Sequence, residues 1–120
     1  MYVRIARFEG GDPDEMDAEA ALLRDALAAL ERGDETSEVP ARLAEVSSRL
    51  ELFADRERRT VIVCVYSATE ADVREADKIL SAMSPGSKGW GKRVSAEFFE
   101  VLLSGVTAVG RAELVALLKS

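Results

Sequence analysis

Three side chains in this sequence could contact a ligand or take part in a reaction. Arg4 lies in an N-terminal segment rich in β-formers, Tyr66 ends the apolar run from residue 61 to 66, and Trp90 lies in a glycine-rich segment. A cation in a dry site can stabilise an oxyanion, and aromatic rings pack well against an aromatic ligand. Each of Arg4, Tyr66 and Trp90 could therefore contact a ligand, and each has a structural alternative: an ion pair for Arg4, core packing for Tyr66 and a simple connection for the segment of Trp90.

The residue types that are absent exclude several chemistries. The chain has no histidine, asparagine or glutamine, and Cys64 is its one cysteine. Without histidine there is no Ser-His or Cys-His pair and no imidazole ligand for a metal or haem. One cysteine excludes an internal disulfide and a multi-cysteine zinc site. We expect no cofactor and no metal, and we expect Cys64 to be a small buried residue.

Length and charge define the class of protein. The 120 residues are enough for about one domain, and 48% hydrophobic residues against 32% charged ones suit a single packed core. A net charge of −6 repels nucleic acid and anionic lipid. The longest apolar run, residues 61–66, is much shorter than the roughly 20 residues of a membrane helix. With no leader pattern at the N-terminus, we expect a soluble cytoplasmic protein without nucleic-acid or membrane partners.

The segment from residue 86 to 93 contains part of a phosphate-binding pattern. Gly86, Gly91 and Lys92 have the spacing G-x-x-x-x-G-K, but Arg93 replaces the Ser or Thr that would hold magnesium. The segment also leads into a predicted strand, whereas a phosphate-binding loop opens a helix. It is therefore predicted to be either a simple connection or a lid that carries Trp90 over a pocket.

Hydrophobic periodicity predicts the element order β-α-β-β-α-β. The predicted strands cover residues 2–9, 48–53, 59–66 and 93–103, and the first helix extends from its N-cap Asp12 to about residue 32. The second and third strands, joined by the charged turn at residues 55–58, should form a hairpin. Ser67 and Thr69 are alternative N-caps of a second helix that ends near residue 83. Residues 41–46 are left as a short connection. This order is typical of a ferredoxin-like α+β fold, a four-stranded antiparallel sheet with both helices on one face.

The third predicted strand is apolar on both of its faces. Val61, Val63 and Val65 point to one side, while Ile62 and its alternate neighbours point to the other. The sheet face away from the helices then needs a cover, and covering three valines there contributes about 1.5 to 3 kcal/mol per side chain. We expect a homodimer packed sheet against sheet. The rival cover is a short C-terminal helix within residues 104–120, which contains Leu114, Leu117 and Leu118.

Three segments resemble a known family. Residues 2–10, residues 65–70 and residues 91–101 are similar, in order and spacing, to the antibiotic biosynthesis monooxygenase-like family. The resemblance spans about residues 1–103, which we take as the domain, and leaves residues 104–120 as an extension. It implies a dimeric α-β barrel of ferredoxin-like topology. The family contains cofactor-independent quinol monooxygenases, haem-degrading enzymes and proteins without known activity, so the fold alone does not carry function.

The residues of the active branches are largely missing. The haem-degrading pattern has Asn, Trp and His where this chain has Ala6, Tyr66 and either Ala76 or Asp77. The same β-α-β-β-α-β order occurs in RNA-recognition modules, but the third strand here lacks their glycine and exposed aromatic residues. We therefore expect either a domain that binds a small ligand such as an aromatic, or a non-catalytic oligomeric domain whose apolar groups are all core.

The alternative is a cofactor-independent monooxygenase acting on a quinol-like aromatic. The resemblance implies that Arg4, Tyr66 and Trp90 would line the pocket of such an enzyme, without assigning a catalytic role to any of them. A cavity of at least about 300 Å³ reached by Tyr66 and an arginine would favour the enzyme.

Overall fold

Within residues 1–105, as far as the structure describes them, a five-stranded antiparallel sheet and three helices form a mixed α+β fold. The structure, a computed structural model, describes residues 1–34, 38–83, 86–105, 115–116 and 118–119. The elements are β1 (Tyr2–Gly10), α1 (Pro13–Glu31), α2 (Glu38–Val46), β2 (Arg49–Asp55), β3 (Thr60–Ser67), α3 (Glu70–Ser81), β4 (Gly86–Ser87) and β5 (Gly91–Glu100). The strand order across the sheet is β2-β3-β1-β5-β4.

The predicted four-stranded ferredoxin-like sheet is not the one observed, because two elements are added. Residues left as a connection form the helix α2, in which Leu43 and Val46 pack against the core. Pro40 is the third residue of α2, where a missing backbone N–H costs no hydrogen bond. The glycine-rich segment adds the short strand β4, which pairs Gly86 with Lys92 of β5. The element order is therefore β-α-α-β-β-α-β-β.

The predicted caps and the predicted hairpin are confirmed. Asp12 precedes α1, and its carboxylate accepts a hydrogen bond from the Asp14 amide at 3.0 Å. Thr69, rather than Ser67, caps α3, since its hydroxyl accepts from the Asp72 amide at 3.1 Å. Strands β2 and β3 form the expected antiparallel hairpin. Side-chain oxygens at these positions satisfy amides that have no partner inside the helix.

The three valines of β3 lie on the opposite side of the sheet from the one predicted. Val61, Val63 and Val65 are buried under the helices and belong to the core that contains Met16 and Ala76. Strand alternation places the two sets of side chains on opposite faces, but it does not say which face receives the helices. The face without a helix among the described residues instead carries the Ile62 side of β3.

That second face is called the open face. It is formed by the side chains that alternate with the core positions: Val3, Ile5, Phe53, Ile62, Cys64, Tyr66 and Phe99. Phe53 is 51% exposed and Phe99 is 47% exposed. Cys64 is buried by its neighbours within the sheet. The open face therefore leaves two large aromatic rings in contact with water.

The C-terminal extension is described only in part. Leu102 and Leu103, which follow β5, are almost fully exposed. Residues 115, 116, 118 and 119 are helical, whereas Leu114 and Leu117 of the predicted helix lie outside the described residues. The division at residue 103 stays a prediction. Within the described ranges, no helix combines the length and the apolar character required to cross a bilayer.

Candidate functional site

A cavity of about 470 Å³ lies on the helix side of the sheet, between α1, α3 and the β4–β5 hairpin. We call it the Arg4 cavity. Its walls are mostly apolar, with a few polar groups at the two ends. The lining residues are Arg4, Phe8, Glu19, Leu22, Leu23, Ala26, Leu80, Met83, Gly86, Ser87, Trp90 and Arg93. Because Leu22 is largely exposed, the cavity opens to solvent along α1.

Arg4 is the buried cation of this cavity. Its residue is 2% exposed, and its Nε donates a 2.8 Å hydrogen bond to Oδ1 of Asp77 on α3. This ion pair offsets the cost of removing a guanidinium from water. Nη2 of Arg4, however, is buried and has no hydrogen-bond partner among the described residues. Arg4 therefore keeps donor capacity that the protein itself does not use.

Trp90 forms part of the opposite end of the cavity. Its ring packs edge-on against Phe8, with 5.4 Å between the ring centroids. The backbone amide of Trp90 donates to the Ser87 hydroxyl at 3.1 Å, so a tight turn of the hairpin fixes the position of the ring. Phe8 and Trp90 together supply a rigid aromatic surface.

The hairpin that carries Trp90 is bound to α1 by Glu19. One carboxylate oxygen accepts from the Ser87 hydroxyl at 2.6 Å, and the other accepts from the Gly89 amide at 2.9 Å. A Cβ at position 89 would lie 2.9 Å from the backbone carbonyl oxygen of Glu15 in α1, closer than real Cβ contacts come, so glycine is what allows this approach. Lys88 adds an exposed ion pair with Glu15 at 3.4 Å. In the described structure the segment thus lies against α1.

Tyr66 does not line the Arg4 cavity. In the sheet Val65 lies opposite Arg4, so Tyr66, the next residue, points to the other face. There the guanidinium of Arg49 lies 5.8 Å from the centre of the Tyr66 ring. A hydrogen bond with the Glu51 carboxylate raises the pKa of the Tyr66 hydroxyl. The candidate residues are therefore divided: Arg4 and Trp90 share a cavity, and Tyr66 belongs to the open face.

Two residues that sequence reasoning missed complete the polar groups around Arg4 and Trp90. Asp77 could have been found, because it lies four residues after Val73 and three before Leu80, on the apolar face of α3. No comparable sequence pattern indicated that Arg93 would face the cavity. A β-bulge in β5 places Arg93 opposite Phe8, whereas an uninterrupted register would place Val94 there.

Arg7 and Cys64 have structural roles. Arg7 lies on the opposite face of β1 from Arg4, where it is exposed and donates to Glu9 at 3.0 Å. Burial, together with the nearby Glu51 carboxylate, raises the pKa of the Cys64 thiol. The thiol therefore stays neutral near pH 7, and a neutral thiol is a poor nucleophile.

A second cavity of about 590 Å³ lies between α1, α2 and β2. It shares Leu23, Ala26 and Met83 with the Arg4 cavity, so the two lie on either side of a common apolar wall. Its charged lining residues, Glu31 and Arg49, are exposed. Since an apolar cavity with a buried, incompletely bonded cation has more to recognise in a ligand, the Arg4 cavity is the better candidate site.

Neither metal binding nor the phosphate-loop pattern finds support in the geometry. Across the part of the chain that the structure describes, no three His, Cys, Asp or Glu side chains converge. The G-x-x-x-x-G-K segment forms the β4–β5 hairpin and continues as a strand. Its amides therefore have no helix dipole behind them.

No protein-family model matches this chain, and neither does any curated protein or solved structure. The resemblance to the antibiotic biosynthesis monooxygenase-like family therefore stays a prediction that rests on the three sequence segments alone.

Proposed function

We propose that this protein binds a small apolar ligand in the Arg4 cavity and acts as a homodimer. The cavity carries the proposal. Its volume of about 470 Å³ falls within the roughly 300 to 1,000 Å³ of ligand pockets, and its apolar walls end in a few convergent polar groups. A buried arginine with an unused donor is expensive to maintain for packing alone.

The polar groups of the cavity support binding more than catalysis. Glu19 is the one carboxylate that lines it, and both of its oxygens accept hydrogen bonds from the hairpin. Nε of Arg4 is committed to Asp77. A general base must reach the proton it removes, and no uncommitted carboxylate lines this cavity among the described residues. The polar groups of the Arg4 cavity therefore suit recognition of a ligand more than catalysis.

The binding proposal can be tested through the single tryptophan. Trp90 lines the cavity, so the one indole N–H resonance of the isotope-labelled protein reports directly on ligand entry. We expect 2-methylnaphthalene to shift this resonance in a saturable manner. The variant Ala26→Phe should weaken binding at least about ten-fold by filling the cavity, while Ala18→Phe, on the exposed side of α1, should not. No saturable shift with any apolar compound tested would overturn the proposal.

The open face supports the homodimer. Phe53 and Phe99 lie at its two sides and are about half exposed, with Ile5, Ile62 and Cys64 between them. Exposed apolar patches of this kind mark protein interfaces in soluble proteins. A twofold axis would bring the same patch of a second copy against it.

The charges of the open face fit burial against such a copy. Arg7 pairs with Glu9 at 3.0 Å, and Arg49 pairs with Glu51 at 2.9 Å. Because each of these arginines already has an opposite charge beside it, removing water from the face leaves no isolated cation. Glu97, which lies opposite Ile5 on the same face, forms no ion pair with any described residue, so the second copy would have to offer it a donor. A second copy is therefore the occupant that we propose for this face.

Sedimentation tests the homodimer. We expect a dimer at micromolar concentration, and we expect Phe53→Glu to convert it to a monomer because a carboxylate would be buried in the interface. Leu102→Glu is the control, since Leu102 is 88% exposed and follows β5 outside the open face. A monomeric wild-type protein would overturn the homodimer and favour residues 104–120 as the cover.

The cofactor-independent monooxygenase is the second candidate function. The presence of Arg4 and Trp90 in one cavity favours it, because an arginine can stabilise the anion of a bound hydroquinone. Tyr66 would contribute only from the open face. Oxygen uptake with a series of hydroquinones and anthrones tests this function: Arg4→Met should abolish turnover and Tyr66→Phe should not. No uptake with any of these compounds would refute the oxygenase.

A further inference from the structure

We propose that the ligand of the Arg4 cavity is an organic monocarboxylate: an aromatic or similarly compact apolar body with one carboxylate, which binds Arg4. This inference rests on the proposed binding function and specifies the class of ligand.

The first observation concerns the hydrogen bonds of the Arg4 guanidinium. The guanidinium presents five donors in a planar fork that matches the two oxygens of a carboxylate. Of the Arg4 nitrogens, Nε donates to Asp77 at 2.8 Å, and Nη2 has no partner among the described residues. The same Asp77 oxygen also accepts from the Ser81 hydroxyl at 3.2 Å. The Asp77 side chain is also 30% exposed, so water shares its negative charge. A second acceptor at Arg4 would complete the hydrogen bonding of a buried cation.

The second step is the charge around the cavity. Arg93 lines the hairpin end and forms no ion pair with any described residue. Glu19 lies at the same end, where both of its oxygens are directed at the Ser87 and Gly89 donors. Two arginines therefore favour an anion, and a cationic ligand would be repelled by the buried one.

The third step is the shape between the two arginines. Arg93 lies opposite Phe8, which is four residues from Arg4 on β1, so the two cationic positions are roughly 13 Å apart along the strand. Phe8, Leu23 and Ala26 lie in the apolar part between these ends. An apolar body of one or two rings would lie here, with its carboxylate at Arg4 and its far edge towards Trp90.

The test compares ligands of equal shape. The wild-type protein is titrated at pH 7 with 2-naphthoate, 2-naphthamide and 2-methylnaphthalene, followed by calorimetry and by the Trp90 indole resonance. We expect the carboxylate to bind about 10- to 100-fold more tightly than the amide, because a hydrogen bond with a charged partner is stronger than a neutral one. Equal affinity of the acid and the amide would overturn the inference.

The double variant Arg4→Met, Asp77→Asn tests whether Arg4 causes the preference for the carboxylate over the amide. It removes both charges of the ion pair together, so it leaves no isolated buried charge. We expect it to lose the preference for the carboxylate and to keep its affinity for 2-methylnaphthalene. A preference that persists in this variant would place the anion elsewhere and refute the role of Arg4. Arg4→Lys, which keeps the charge but not the planar fork, should retain part of the preference.

The two proposals fail in different ways. If 2-methylnaphthalene binds but the carboxylate has no advantage, the cavity is a binding site and only the carboxylate inference is wrong. If none of the three compounds binds, the proposed binding function is itself wrong. The comparison of acid and amide uses the wild-type protein, so it remains decisive even if the double variant does not fold.

Discussion

Helices α1 and α3 lie on the same side of the sheet, but they are held against it in different ways. α3 has 12 residues, and three of them, Val73, Ala76 and Ile79, are at most 4% exposed. α1 has 19 residues, yet Met16 is its only buried residue and Leu22 is 71% exposed. Both cavities lie along α1. α3 is therefore the tightly packed wall of the Arg4 cavity, and α1 is packed more loosely against the sheet.

Polar contacts replace apolar packing along α1. Asp17 forms a bidentate ion pair with Arg56 in the β2–β3 turn, and the shorter of its two hydrogen bonds, from Nη2 of Arg56 to Oδ1 of Asp17, is 2.6 Å. Glu19 accepts two hydrogen bonds from the β4–β5 hairpin. Exposed ion pairs each contribute little to stability, so they position a helix without locking it. This arrangement would let α1 shift when the proposed ligand binds.

The largest expected effect distinguishes the packing of the two helices directly. Ile79→Ala on α3 should lower the free energy of unfolding by about 2 to 5 kcal/mol, because it leaves a cavity in a packed region. Leu22→Ala on α1 should change it by less than about 0.5 kcal/mol, since Leu22 is already exposed. Urea unfolding at one protein concentration measures both. Similar losses for the two variants would show that α1 is packed as tightly as α3.

The next effect concerns the one buried ion pair that joins α3 to β1. Asp77→Ala should cost about 1 to 3 kcal/mol, because Arg4 would stay buried and lose the one ion-pair partner that it has among the described residues. The matched control is Glu70→Ala, which removes the exposed Arg74 pair on the same helix and should cost less than about 1 kcal/mol. Equal costs in thermal or urea unfolding would contradict the burial of the Arg4 pair.

A smaller effect tests how α1 holds the hairpin. Glu19→Ala should cost about 1 kcal/mol and should make Trp90 more accessible to acrylamide, since the Ser87 and Gly89 donors lose their acceptor. Glu15→Ala, which removes only the exposed pair with Lys88, is the control and should leave quenching of Trp90 unchanged. Unchanged quenching in both variants would mean that the position of the hairpin does not depend on the Glu19 side chain.

The smallest effect is a pH dependence at the other contact of α1. The hydrogen bond and charge of Arg56 hold the pKa of Asp17 below its ordinary value of 3.8. A lowered pKa in the folded state means that this contact stabilises the protein above the unfolded value and is lost as the pH falls through the folded value.

The stability advantage of the wild type over Asp17→Asn should therefore shrink as the pH falls below 3.8. Urea unfolding at several acidic pH values measures it. Asp25→Asn, on the same helix and without an ion pair among the described residues, serves as the control. An advantage that stays constant to low pH would exclude the Asp17 contact as its source.

The elements that the sequence predicted well are those with local causes. The caps of α1 and α3 follow from Asp12 and Thr69, whose side chains bond to amides two or three residues away. The β2–β3 hairpin follows from two β-forming runs joined by a charged turn. The sequence missed the helix α2 because its nine residues make only about two and a half turns and include Pro40. So short a helix depends on contacts such as those of Leu43 and Val46 with the core.

The candidate site depended on non-local causes. Arg4 and Trp90 were predicted and do meet in one cavity, but Tyr66 could be placed only from the register of β3 against β1. The same register decided that Val61, Val63 and Val65 face the helices. A shift of one residue would exchange the two faces of the strand, and nothing in the local sequence distinguishes those alternatives.

The amino-acid sequence by itself determined the α+β class, the positions of most helices and strands, and the absence of histidine and disulfide chemistry, because each depends on composition or on neighbours a few residues away. The tertiary structure decided which groups meet. Asp77 reaches Arg4 across 73 positions of the chain, and a single bulge in β5 turns Arg93 towards the cavity. Such contacts arise from register and packing between distant segments, which no local pattern encodes.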